Sequence, residues 1–170
     1  MIPQDRAARL TATYHATLAR FIARRLDDRD AAEEIARETI ERVAVEDDEE
    51  GERSTIFAAA INLARSEDVG VPRAQPRLAL MRADVETDIV SHLEATHAKR
   101  PAEQAMARSA LETLPLRDRD ALLMREEGLR YDEIAAALEM PVTAVGSTLA
   151  RARRRLMEAY EALLNAPEPA

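Results

Sequence analysis

The sequence predicts an all-α protein built as two small helical domains joined by a linker. Three observations lead there. Ala, Leu, Glu and Arg dominate a chain with 3% aromatic residues and no Trp or Cys, a composition that favours helices packed through small aliphatic side chains over a sheet. Apolar residues recur at intervals of three and four through most of the chain, the period of one helix face. A segment with two prolines, Val71 to Arg77, breaks the pattern near the middle, because proline lacks the amide that a helix interior needs.

The elements follow in order. Leu10, Tyr14, Leu18, Phe21, Ile22 and Leu26 form one stripe of a first amphipathic helix within Arg6 to Leu26. Asp27 to Asp30 makes a polar break that can cap a second helix, Ala31 to Val45, with its stripe at Ala32, Ile35, Thr39, Ile40 and Val43. Glu46 to Glu52 crowds carboxylates before and after a glycine and reads as a solvated loop. Ser54 can cap a third helix through Ile56, Phe57, Ala60, Ile61 and Ala64, ending around Asp68-Val69-Gly70. These helices make an N-terminal domain, residues 1–70. Residues 71–101 read as the linker, although Leu78 to Lys99 keeps some helical spacing. Helices within Ala102 to Leu114, Leu116 to Glu127, Tyr131 to Leu138 and Val142 to Leu156 make a second domain, 102–165, before a disordered tail, 166–170.

Several function classes find no support. Without cysteine there is no disulfide framework or thiolate metal site, and His15, His92 and His97 lack metal-ligand spacing. No nucleophile-base pair and no glycine-rich phosphate loop stands out, so neither enzymatic activity nor a cofactor or metal is expected. The N-terminus lacks a basic segment leading into an apolar core, and no apolar run approaches the ~20 residues needed to cross a bilayer, so a cytoplasmic chain without membrane insertion is expected. The net charge of -8 opposes nucleic-acid binding, which draws its affinity from neutralised phosphates. A locally basic segment can still reverse the field near one surface.

Such a segment exists. Only Glu139-Met140-Pro141 separates the helix starting at Tyr131 from the one starting at Val142, the connector length of a helix-turn-helix. In that motif the second helix enters the major groove and should offer small polar and basic side chains. Thr143, Gly146, Ser147, Ala150 and Arg151 lie off its apolar stripe, and Arg151, Arg153, Arg154 and Arg155 follow with no acid until Glu158. Planar guanidiniums suit phosphate oxygens and guanine edges.

Read as an ordered series, Leu111 to Arg125, Gly128 to Ala135 and Val145 to Arg153 resemble the C-terminal domain of extracytoplasmic-function sigma factors, with its L-P-x-x-x-R, G-L-S-Y-x-E-I-A and T-V-K-S-R-L-x-R-A-R words. The resemblance implies contact with the promoter element about 35 bases upstream of the start by Tyr131, Thr143, Ala144, Ser147, Thr148, Arg151, Arg154 and Arg155. Asp30 to Ile40 is similar to the family's helix that grips the largest polymerase subunit, which makes Glu33, Glu34, Arg37 and Glu38 candidate polymerase contacts. Ile61-Asn62-Leu63-Ala64 echoes R-N-L-A, and by that match Asn62 contacts the -10 element. RNA polymerase core and promoter DNA are the implied partners, and the family admits an anti-sigma factor as a third.

The sequence also departs from the pattern. Arg37 stands for glutamine, Ile40 and Ala44 for frequent aromatics, and Thr55-Ile56-Phe57 for a Trp-containing start of the third helix. Ser66 to Gly70 replaces a basic tail, and Gly146 and Thr148 replace the lysine and arginine of K-S-R. A degenerate sigma-like module that binds an anti-sigma factor or polymerase without reading promoters is therefore the alternative. A dimeric helix-turn-helix repressor is a third reading, which leaves the N-terminal resemblance unexplained.

Overall fold

The computed structural model describes residues 3–45, 51–70 and 101–167, with side chains placed from Asp5 to Val45, Gly51 to Ser66 and Pro101 to Pro167. Among these residues the protein is all-α, with seven helices: α1 Pro3–Leu26, α2 Arg29–Ala44, α3 Glu52–Gly70, α4 Pro101–Glu112, α5 Leu116–Glu126, α6 Tyr131–Ala137 and α7 Val142–Leu164. The acidic run from 46 to 50, the expected linker apart from Pro101, and residues 168–170 of the expected tail lie outside the described residues.

Local chemistry sets most helix ends. Asp27 closes α1 in the left-handed region at φ 55, and Asp28 accepts a bond from Ala31 N at 3.0 Å to open α2, as an N-cap aspartate does. The expected Ser54 cap is corrected. α3 begins at Glu52 and Ser54 is buried inside it. Gly51 supplies the turn at φ 86 and its carbonyl accepts from Thr55 N at 3.0 Å. Gly128, at φ 80, ends α5. There Gly128 N donates to Arg125 O and Leu129 N to Met124 O, with Leu129 fully buried beyond the turn, a glycine-terminated helix end of the kind that needs positive φ.

The expected stripes are the core. Leu10, Leu18, Phe21, Ile22, Ile35, Ile40, Val43, Ile56, Phe57 and Ile61 are buried among α1, α2 and α3, and the Phe21 and Phe57 rings meet edge-on at 5.1 Å and 68°, a favoured aromatic geometry. α7 packs against α4, α5 and α6 through Val145, Leu149, Ala152, Leu156 and Tyr160. It runs to Leu164, two turns beyond the expected Leu156, because Tyr160 and the half-buried Leu163 continue the stripe.

α5 differs from a surface helix. Seven consecutive residues, Asp118 to Met124, are buried, because α7 covers one side and α1 packs on another. α3 meanwhile packs on α6. The two helical groups thus join along a shared face.

Candidate nucleic-acid interface

The α6–turn–α7 unit is held together from inside. Ile134, Leu138, Val145 and Leu149 are buried between the two helices and their support. The turn is made by Glu139 at φ 51, with Glu139 N donating to Ala136 O and Met140 N to Ala135 O. Arg117, from the start of α5, reaches Leu138 O at 3.5 Å. Glu133 closes the N-terminal end of α6 by accepting from Arg130 N at 2.7 Å.

Burying one stripe of α7 leaves the opposite face to solvent. Thr143, Ser147, Ala150 and Arg154 are exposed at spacings of four, three and four, so they form one continuous strip. Ser147 is exposed and turns its hydroxyl back to Ala144 O at 3.0 Å. Ala144 is half-buried beside it. No acid occupies the first turn of α7, where the helix dipole ordinarily attracts carboxylates. Ala144 N there donates to Pro141 O at 2.9 Å, and the positive end of the helix dipole favours an incoming phosphate oxygen.

Three expected contact residues sit differently. Thr148 is 4% exposed and faces the core, because it falls on the stripe side of the helix, so it is corrected to a packing residue in this conformation. Arg151 and Arg155 flank the exposed strip on the side of α5 and both hold Asp118. Arg151 donates to its two oxygens at 2.7 and 3.2 Å, and Arg155 donates at 2.6 Å. Asp118 is itself buried. The Arg151 bonds, then those of Arg155, hold its carboxyl below the usual carboxylate range against the opposing effect of burial. The basic patch therefore survives in reduced form. One carboxylate serves two guanidiniums, Arg154 lies 3.8 Å from the exposed Glu158, and Arg153 is exposed with no ion pair among the described residues.

Tyr131 stands beside this face, partly exposed, with the Arg125 guanidinium 5.6 Å from its ring centre, within cation–π range. A side chain at Gly146 would meet the Tyr131 ring at 3.6 Å, ordinary contact, so packing does not dictate glycine there. Asp118, Arg117 and Arg125 carry the site's architecture without having been picked out from the sequence. Each is a charged residue in a charged run, and only the third dimension gives it a partner.

The polymerase candidates share the outer face of α2. Glu33, Glu34 and Arg37 are exposed; Glu33 lies 3.4 Å from His15 and Glu38 pairs with Arg42 at 2.5 Å. Asn62 is exposed on α3 and lines an open groove of about 250 Å³ with Arg42, Val43, Ala59, Leu63 and Ser66. No helix among the described residues is long and apolar enough to cross a membrane.

Residues 104–156, which contain α6 and all but the last two turns of α7, match the family described as Sigma-70, region 4. Over that segment the chain is similar to region 4 of the sigma-70 factors. It is 33% identical over 121 residues to the RNA polymerase sigma-H factor of Pseudomonas aeruginosa, an alignment that takes in 64% of this chain and 60% of that protein. The chain thus spans under two thirds of that curated relative. Its fold is similar to that of the sigma factor RpoE solved in complex with the anti-sigma factor NepR from Bartonella quintana, with a TM-score of 0.63 over 91% of this chain and 96% of that one at 18% identity. The exposed strip from Thr143 to Arg154 and the Asp118 pairs all fall within the region 4 match.

Proposed function

We propose that this chain is an alternative sigma factor that binds RNA polymerase core and directs promoter-specific transcription initiation. Residues 102–165 form the unit that reads the element about 35 bases upstream, through Thr143, Ala144, Ser147 and Arg154, with Tyr131 at its edge. Arg151 and Arg155 frame that surface from Asp118 and reach DNA by exchanging this carboxylate for a phosphate. Residues 1–70 form the unit that binds core through Glu33, Glu34, Arg37 and Glu38, with Asn62 toward the -10 element. The work is non-covalent and cytoplasmic, without catalysis or cofactor, and an anti-sigma factor is a further partner.

One observation carries this reading. Within the region 4 match, the second helix of the motif presents a strip that is small, polar and basic, with no acid in its first turn, as major-groove entry requires. The same observation speaks against a decoy without promoter recognition. The test is transcription by purified core polymerase with and without the chain, with the transcripts sequenced. New start sites that disappear with Arg154→Glu, while core binding persists, support the proposal. Core binding with no new transcript from any template supports the decoy.

A further inference from the structure

The two aspartates of α5 serve different neighbours. Asp120 takes Arg25 of α1 at 2.9 Å, while Asp118 takes Arg151 and Arg155 of α7. Asp118 stands in the first turn of α5, where the positive end of the helix dipole favours a carboxylate. The residues that follow it, Arg119 to Met124, are buried, so the backbone carrying it is packed in place. A carboxylate on so firm a base sets the position of whatever it binds.

The two arginines are not held alike. Arg151 donates through Nε at 3.2 Å to one oxygen and through Nη2 at 2.7 Å to the other, so one whole edge of its planar guanidinium lies against the carboxylate. Arg155 donates through Nη1 alone, at 2.6 Å, and can pivot about that bond. Arg151 Nη1 has no hydrogen-bond partner among the described residues, and the side chain is 40% exposed. The second edge of that guanidinium, Nη1 with the remaining hydrogen of Nη2, is left for another acceptor. Two parallel N–H groups of this kind match O6 and N7 of guanine.

Place along α7 separates the pair in the same sense. Arg151 lies one turn beyond Ser147 on the same side of the helix, at the margin of the exposed strip. Arg155 lies one turn further, about 6 Å along the axis. Residues nearer the start of a recognition helix meet base edges, while its later turns lie by the backbone. On the sigma-factor reading, on which this inference rests, the pair meets DNA by exchanging Asp118 for a phosphate. That exchange falls on Arg155. If Arg151 left as well, Asp118, 2% exposed, would lose its last cation, and an uncompensated buried charge is strongly destabilising.

We infer that Asp118 is a positioning residue for base recognition: it holds the Arg151 guanidinium by one edge so that the other reads a guanine of the upstream element, while Arg155 moves to a phosphate. Side-chain freedom is lost before DNA arrives, so more of the base contact appears as affinity. A tethered Arg151 is also kept from the phosphates of any other sequence, which carry no sequence information. The arrangement therefore raises discrimination between sites.

The test uses the full-length chain assembled with polymerase core and two duplexes that differ only upstream. One carries a start site found by transcript sequencing with its upstream segment intact, and the other has that segment shuffled. The ratio of the two affinities reads discrimination there. Asp118→Asn should lower the ratio about tenfold, roughly the contribution of one bidentate base contact. Arg151→Lys, which keeps the charge and loses the fork, should lower it as much, and Arg155→Lys by no more than about twofold, since a point charge still serves a phosphate. Replacing each guanine of the intact segment by 7-deazaguanine removes its N7 acceptor; one such position should weaken the wild type and leave Arg151→Lys unaffected. Circular dichroism checks the helix content of every variant, and if Asp118→Asn does not fold, the two lysine variants and the modified guanines decide. A ratio that Asp118→Asn leaves unchanged, equal losses in the two lysine variants, or no sensitive guanine overturns the inference while the promoter reading stands. A wild type that does not prefer the intact duplex sinks that reading too.

Discussion

Asp118→Asn removes one negative charge while keeping the side chain's shape. The carboxylate is 2% exposed and receives bonds at 2.6, 2.7 and 3.2 Å from two guanidiniums. A hydrogen bond to a charged group contributes ~1.5–3 kcal/mol. Here the donors are 40% and 44% exposed and regain water on release, which moves the net value toward that of surface pairs. The substitution should therefore cost about 2 kcal/mol at neutral pH, read by urea denaturation. Because the Arg151 bonds foremost hold the Asp118 carboxyl low, the unfolded chain takes this proton more readily than the folded one. The stabilisation is fully present above the ordinary carboxylate pKa of ~3.9 and is lost as pH falls through the depressed folded value. The gap between wild type and variant should thus hold steady from about pH 7 to about 5 and close in stronger acid. The variant also leaves Arg151 and Arg155 without their shared counter-ion. Non-specific DNA affinity should rise, and the dependence of log K on log salt should steepen by about one for each guanidinium that gains a phosphate. Equal stability at pH 7, or an unchanged salt slope, would refute Asp118 as their internal partner.

Three further outcomes test the fold. Phe57→Ala empties a fully buried site and removes the edge-on contact with Phe21; it should cost about 4 kcal/mol in urea denaturation. Glu139→Gly relieves a left-handed backbone at φ 51 in the turn and should raise Tm by about 3 °C, because the strain released slightly exceeds glycine's entropy cost. Arg25→Met strands Asp120 in a closed face and should cost about 3 kcal/mol at pH 7. Burial, outweighing the Arg25 pair, already holds the Asp120 carboxyl above its usual range, so the folded chain binds that proton more tightly than the unfolded one. The penalty should shrink as pH falls through this raised value, and a loss that does not shrink in acid would contradict the assignment.

Much of the fold was legible because it is written in period and punctuation. Leu10 to Ile22, Ala32 to Val43 and Ile56 to Ala64 declare their buried faces by spacing alone, Asp28 announces a helix start, and Gly128 marks a helix end. The motif at Tyr131 to Arg155 was legible from its connector and its missing acids. What the sequence concealed lies in pairings between distant charges. Nothing in Leu-Arg-Asp-Arg-Asp distinguishes Asp118, which neutralises Arg151 and Arg155, from Asp120, which meets Arg25 of another helix. A run of seven buried residues on α5 likewise depends on what packs against it, and periodicity within one helix does not report neighbours on two sides. Thr148 was misplaced for a related reason: the family word puts a basic residue there, while the angle around α7 puts it inward.

On the proposed function, the strip from Thr143 to Arg154 lies in promoter DNA. Its most direct measurement is a photo-crosslinker at position 147, in the chain assembled with polymerase core on a promoter found by transcript sequencing. Crosslinks confined to bases about 35 positions upstream of the start are predicted, fading with Arg154→Glu. Crosslinks only to protein, or to DNA at random positions, would contradict the account.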